Sequence, residues 1–143
     1  MQTVTFISNS PEETFQLGCD LGRRACRGHV FGLFGDMGAG KTVFVKGLAV
    51  GLEITETVSS PTYGLVSNYA GGRLNLFHLD LYRLDTPEQI YAAGLEEYLQ
   101  PQGVSAIEWM ERWVDLEEGR VIKVYFEDRS ETERMIRYDG FSH

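Results

Sequence analysis

Positive charge is scarce in this chain: 13 Lys and Arg stand against 21 Asp and Glu, for a formal net charge of −8. A protein that grips nucleic acid unaided draws most of its affinity from neutralised phosphates and carries a basic patch to do so. Here the basic residues are scattered and outnumbered, which argues against stand-alone nucleic-acid binding. Cysteine is scarcer still. Cys19 and Cys26 are the two present, their spacing matches no zinc signature, and they read as ordinary thiols of a reducing compartment. Long apolar runs are missing, and nothing approaches the roughly eighteen residues of a membrane span. The opening "MQTVTFISNSPEE" lacks the basic-then-apolar order of a secretory signal. Internal repeats and low-complexity linkers are absent too. The expectation is a soluble, cytoplasmic protein without a membrane partner, folded as a single domain over residues 1–143.

What is there reads as an ordinary globular composition, 43% apolar and 24% charged. "TVTFIS" alternates as a short strand. Ser10 then stands as a helix cap, Pro11 suits the first turn, and Glu13 sits where a capping-box carboxylate reaches back. Thr14, Leu17, Leu21 and Ala25 recur at helical spacing, with Gly28 closing the helix. "HVFGLF", His29 to Phe34, reads as a strand buried on both faces. A second helix is expected from about Lys41 to Val50, stopping at Gly51. After a loop from Leu52 to Thr62, two strands flank the Gly71-Gly72 turn. "TPEQIYAAGLEEYL" is helical, capped by Thr86 and broken near Gly94; "VSAIEW" is a further buried strand. "RVIKVYFE" and "ERMIRY" form a C-terminal antiparallel pair. The fold class expected is α/β: a mixed, mainly parallel sheet flanked by helices, with antiparallel hairpin additions.

Between the second strand and the second helix lies "GDMGAGKT", Gly35 to Thr42, which meets the G-x-x-x-x-G-K-[ST] pattern in full. Gly35, Gly38 and Gly40 permit torsions and close approaches that a Cβ would block. Successive N–H groups then line an anion-binding concavity at the positive end of a helix. In such a loop Lys41 reaches the outer phosphates and the Thr42 hydroxyl ligates Mg²⁺. The bland alternative, a glycine-rich turn that binds nothing, has the flanking strand and helix against it.

A phosphate loop needs acidic partners for its metal and a means of orienting water. In "HLDLYR", His78, Asp80 and Tyr82 alternate with leucines and are expected on one strand face. In "AIEW", Glu108 ends an apolar strand, the usual place for a metal-side carboxylate, and is the better candidate for Mg²⁺. Asp80 would bind the metal through water or position the nucleophile; its plainer reading is a strand-end carboxylate paired with Arg83. Residue types alone do not separate base from ligand. Thr62, in "SSPT", would sense the γ-phosphate or serve as a turn hydroxyl. Trp109 reads as core or rim packing.

Two absences narrow the nucleotide chemistry. Neither the N-K-x-D element of guanine recognition nor the D-x-x-G switch of small GTPases occurs. The short stretch after Thr42 leaves little room for the acceptor domain and arginine-bearing lid of nucleotide kinases. ATP hydrolysis is thereby favoured, with a compressed small-molecule kinase and a non-catalytic, nucleotide-stabilised scaffold as the alternatives.

Taken in order, "GDMGAGKT", "SSPTYGLV", "FHLDLYRL" and "IEW" resemble the TsaE (YjeE) family of small bacterial P-loop ATPases in the tRNA threonylcarbamoyladenosine pathway. The resemblance covers Pro11 to about Trp109. It implies a helper in installing threonylcarbamoyl on adenosine 37 of tRNAs that read codons beginning with A. It implies docking on, and resetting of, a TsaD–TsaB pair, with tRNA contacted only through that complex. Carried over by position, ATP phosphates would be held by the loop Gly35, Asp36, Met37, Gly38, Ala39, Gly40, Lys41 and Thr42, and Thr42 and Glu108 would be the Mg²⁺ ligands. Lys41, Asp80 and Glu108 would form the catalytic set, and Thr62 would belong to a switch loop. The base would lie near Pro11 and the C-terminal hairpin at Glu133 and Arg134, where the family's glycine-arginine pair reads Glu-Arg.

Overall fold

Ser10 opens the first helix as a cap, its Oγ accepting the Glu13 backbone N–H at 3.2 Å. The Glu13 carboxylate reaches back one residue further than a capping box requires and accepts the Asn9 N–H at 2.8 Å. In the computed structural model, which describes residues 3–35, 38–59, 65–116 and 121–139, strand β1 (Thr3–Ser8) leads into this helix, α1 (Pro11–Arg24). Strand β2 (Val30–Phe34), helix α2 (Gly38–Gly51), strands β3 (Val66–Tyr69) and β4 (Leu76–Asp80) and the short helix α3 (Pro87–Ala92) follow. A 3₁₀ turn at Leu95–Leu99, strand β5 (Val104–Glu108), a second 3₁₀ turn at Met110–Arg112 and the hairpin β6 (Ile122–Asp128) and β7 (Arg134–Asp139) complete the order.

All seven strands join one sheet in the order β1-β7-β6-β2-β5-β4-β3. Its centre is parallel, with β2 between β5 and β6, and β4 beside β5. The margins are antiparallel: β3 on β4, β7 on β6, and β1 on β7. This is the α/β arrangement that strand and helix alternation implies, with the hairpins as its edges. Strand parity divides the core. Phe31, Leu33, Leu76, Val104 and Ala106 face α1 and α2, whereas Val30, Leu79, Ile107 and Leu81 pack under α3 and the two 3₁₀ turns. A strand covered on both faces has no room for a polar alternation, hence the continuous apolar runs of β2 and β5.

Helices α1 and α2 touch along glycines. A Cβ on Gly18 would stand 2.3 Å from Phe44 O, and one on Gly22 2.5 Å from Leu48 O. In return, Gly47 and Gly51 lie against Phe15 O and Cys19 O, at 2.2 and 2.4 Å from where a Cβ would be. Backbone meets backbone here, so only glycine fits.

Two boundaries differ from the sequence pattern. Helix α2 spans Gly38–Gly51, so it starts earlier than Lys41 while its last residue is Gly51 as expected; Gly51 is not the turning residue, however. Glu53 turns the chain beyond the helix, in a left-handed conformation (φ 65°), with Ile54 N–H donating to Ala49 O and Glu53 N–H to Val50 O. These are the two bonds of a Schellman cap, formed without glycine at the turning residue. Helix α1 stops at Arg24, before Gly28, because Ala25 is extended (ψ 142°) and the Arg73 guanidinium takes the carbonyls of Gly22, Arg23 and Ala25. Gly28, at φ +98°, shapes the turn into β2 instead.

Among the described residues no helix is long and apolar enough to cross a membrane.

Candidate functional site

The loop that joins β2 to α2 leaves the carboxyl end of a central parallel strand, the end at which open α/β sheets bind ligands. Gly35 takes φ +135° there, a conformation open to glycine. Its carbonyl accepts a 2.6 Å hydrogen bond from Lys41 Nζ, and its N–H donates to Glu111 Oε2 at 2.9 Å. Lys41, fully buried, also lies 3.9 Å from the centre of the Trp109 ring. Asp36, Met37 and Thr62 lie outside the described residues. Gly38 and Ala39 belong to the first turn of α2.

The carboxylates come from strands that the sequence does not put next to each other. Glu108 closes β5, which pairs directly with β2, Leu33 opposite Glu108. Asp80 closes β4 on the far side of β5, in register with Glu108. In-register residues of a parallel pair share a sheet face, and this face is the one covered by α2. Glu108 is buried, and its Oε2 accepts from Thr42 Oγ1 at 3.4 Å and is hydrogen-bonded to His78 Nε2 at 2.6 Å. Asp80 accepts the Tyr82 backbone N–H at 2.9 Å. Tyr82 is not on the strand face with His78 and Asp80, contrary to the alternation of the sequence. The strand ends at Asp80, and the Asp80–Tyr82 bond turns the chain so that Tyr82 is exposed and tilts against Trp109. Trp109 itself, at φ 60°, is partly buried at the rim, with the Arg112 guanidinium 5.5 Å from its ring centre.

The structure thus brings Gly35, Gly40, Lys41, Thr42, Asp80 and Glu108 to one end of the sheet. It adds Arg134 from β7, whose Nη1 lies 2.8 Å from where a Cβ on Gly40 would stand. Arg134 is tethered to Asp128 at 3.1 Å. Glu133 is drawn to Arg129 at 3.6 Å within the β6–β7 turn. Pro11 lies in a cavity of about 750 Å³ beside the first turns of α2, together with Phe6, Ser10, Phe15, Val43 and Lys46. The sequence does not single out His78 as a site residue; its two-residue spacing from Asp80 is the available signal. Glu111 carries no local signal, since only the fold sets it beside Gly35.

Among the described residues no group of three or more His, Cys, Asp or Glu is placed to hold a metal ion by itself. Magnesium that arrives with a nucleotide asks for less: one or two protein oxygens, with phosphate and water completing the octahedron. Thr42 Oγ1 and Glu108 Oε2, hard oxygen donors 3.4 Å apart at the head of α2, fit that need.

The family model "Threonylcarbamoyl adenosine biosynthesis protein TsaE" matches residues 8–136. The chain is 48% identical over 114 residues to the tRNA threonylcarbamoyladenosine biosynthesis protein TsaE of a Nostoc species, covering 77% of this chain and 69% of that one. It is 45% identical over 106 residues to the Treponema pallidum TsaE, covering 74% and 78% of the two chains, and 41% identical over 109 residues to that of Bacillus subtilis, covering 76% and 68%. The fold is similar to the crystal structure of Bacillus subtilis YdiB, with a TM-score of 0.76 at 32% identity, over 96% of this chain and 84% of that one. With the family model spanning both the phosphate loop and the two carboxylate strands, the chain belongs to the TsaE family.

Proposed function

We propose that this protein binds ATP with Mg²⁺ between β2 and α2, hydrolyses it, and uses that cycle to sustain threonylcarbamoyl modification of adenosine 37 in tRNAs reading codons that begin with A. The observation that carries the reading is the convergence of Lys41, Thr42, Glu108 and Asp80 at the carboxyl ends of three adjacent parallel strands.

Magnesium, when bound, neutralises charge that develops on the phosphoryl oxygens. Thr42 Oγ1 and Glu108 would hold it. The buried Lys41 ammonium would leave the Gly35 carbonyl for the outer phosphates. Asp80, beside Glu108 in the sheet, orients the attacking water. Arg134, lying over Gly40, lends positive charge to the phosphate side, and the cavity at Pro11 receives the base. Thr62 acts in the switch loop. The strongly acidic charge supports contact with tRNA through partners, a TsaD–TsaB pair on which the protein docks and which its nucleotide cycle resets.

The test is an ATPase assay with and without the TsaD–TsaB pair, repeated with Lys41→Ala. Weak turnover alone, stimulated by the pair and abolished in the variant, is the expected result. Equal turnover by wild type and variant would remove the site assignment, and indifference to the pair would remove the coupling.

A further inference from the structure

Glu108 is a carboxylate taken out of water, 2% exposed, and such a group needs a partner where it stands. His78 supplies one. The two come from neighbouring parallel strands, with His78 in register with Ala106, one pleat behind Glu108 on the same sheet face. The imidazole is fully buried and its Nε2 lies 2.6 Å from Glu108 Oε2. The tautomer with the proton on Nε2 makes the ring the donor of this bond. The other ring nitrogen, Nδ1, is equally buried and has no hydrogen-bond partner among the described residues. A core position that served packing alone would suit leucine better than a half-satisfied imidazole, because an orphaned polar atom costs stability. Among the described residues the ring is engaged only on the side of Glu108.

We propose that His78 is a positioning residue, which holds Glu108 through Nε2–H so that the remaining carboxylate lone pairs meet the cation bound alongside Thr42. This rests on the reading of Glu108 as a magnesium-side ligand. The physical reason is rotamer freedom. A glutamate at a strand end has three side-chain torsions to fix, and a short bond from a ring locked in the core fixes them before the metal arrives. Supports of this kind behind a ligand commonly change metal affinity by about 10–100-fold. Phosphate binding does not pass through His78, so nucleotide affinity without metal should be indifferent to it.

The experiment is titration of the protein with a fluorescent N-methylanthraniloyl-ADP, with and without Mg²⁺, in wild type, His78→Leu, His78→Asn and His78→Gln. Wild type should bind more tightly with magnesium. Leucine has no donor and asparagine is too short to reach Glu108, so both should lose about tenfold or more of the magnesium gain while keeping metal-free affinity. Glutamine places an amide nitrogen near the Nε2 position and should restore the gain. The proposal is overturned if Leu and Asn keep the full gain, if their metal-free affinity falls in the same proportion, or if Gln fails to restore it. Should both removal variants fail to fold, the wild-type imidazole nitrogen spectrum decides: a slowly exchanging Nε2–H on His78 supports the role, and a proton on Nδ1 alone refutes it. A wild type that binds no nucleotide would instead defeat the reading of the loop. Binding without any magnesium gain would defeat only the metal-side role of Glu108 and, with it, of His78.

Discussion

The ammonium of Lys41 lies 3.9 Å from the centre of the Trp109 indole while it donates to the Gly35 carbonyl. A desolvated cation on an indole face gains on the order of 2 kcal/mol from the ring quadrupole. Phosphates that draw Lys41 away remove that charge from the ring, so nucleotide binding should alter Trp109 emission. In a Trp113→Phe background, which leaves Trp109 as the sole tryptophan, ATP should change the spectrum, and Lys41→Ala should abolish the change. An unmoved spectrum under nucleotide saturation, with binding verified by calorimetry, would mean that Lys41 stays on the ring.

Gly47→Ala should destabilise the fold despite alanine's better helix propensity. Propensity gains about 1 kcal/mol, but the new Cβ would stand 2.2 Å from Phe15 O, a backbone atom that cannot move without separating α1 from α2. Overpacking of this kind costs about 1–3 kcal/mol, so the net effect is a lower urea midpoint. A variant as stable as wild type would mean that the two helices slide apart freely.

Arg73→Ala removes three hydrogen bonds at the end of α1, to the Gly22, Arg23 and Ala25 carbonyls, from a hairpin some fifty positions away. Charged donors are worth about 1.5–3 kcal/mol each where buried and less where solvent competes. A total loss of about 1–3 kcal/mol in urea unfolding is expected. Faster amide exchange in the last turn of α1 should accompany it.

The two thiols should react at different rates. Cys19 is buried, and burial is the largest influence raising its pKa, so little thiolate is present at neutral pH. Cys26 is half-exposed beyond the end of α1. Iodoacetamide should label Cys26 first, leaving Cys19 until the chain unfolds; mass spectrometry of peptides reads the order.

Much of the architecture was legible because it is local. The caps at Ser10 and Thr86 form as read, each accepting the N–H three residues on. The break at Gly94 is real, its φ of 75° ending α3 before the 3₁₀ turn at Leu95–Leu99. Gly51 ends α2 as expected but has a second use. It reads as a helix terminator by propensity, yet here it also lets two backbones touch, and that need is invisible until α1 and α2 are side by side. At Tyr82 the pattern misleads. Alternation continues through Leu81 in the sequence, but the side chain of Asp80 captures the Tyr82 N–H and ends the strand.

What the sequence alone determined is the glycine-rich loop motif, the strands around it and the family, since a motif spacing and a side-chain period are both properties of neighbouring residues. What the tertiary structure decided is the company that loop keeps. Glu108 reaches Thr42 across 66 positions, and Arg134 reaches Gly40 from a hairpin at the other end of the chain. His78 stands behind Glu108 only because β4 lies beside β5 in one register. Strand order and register are set by how the whole sheet buries its two faces, and a slip of one residue would turn every one of these side chains to the other side.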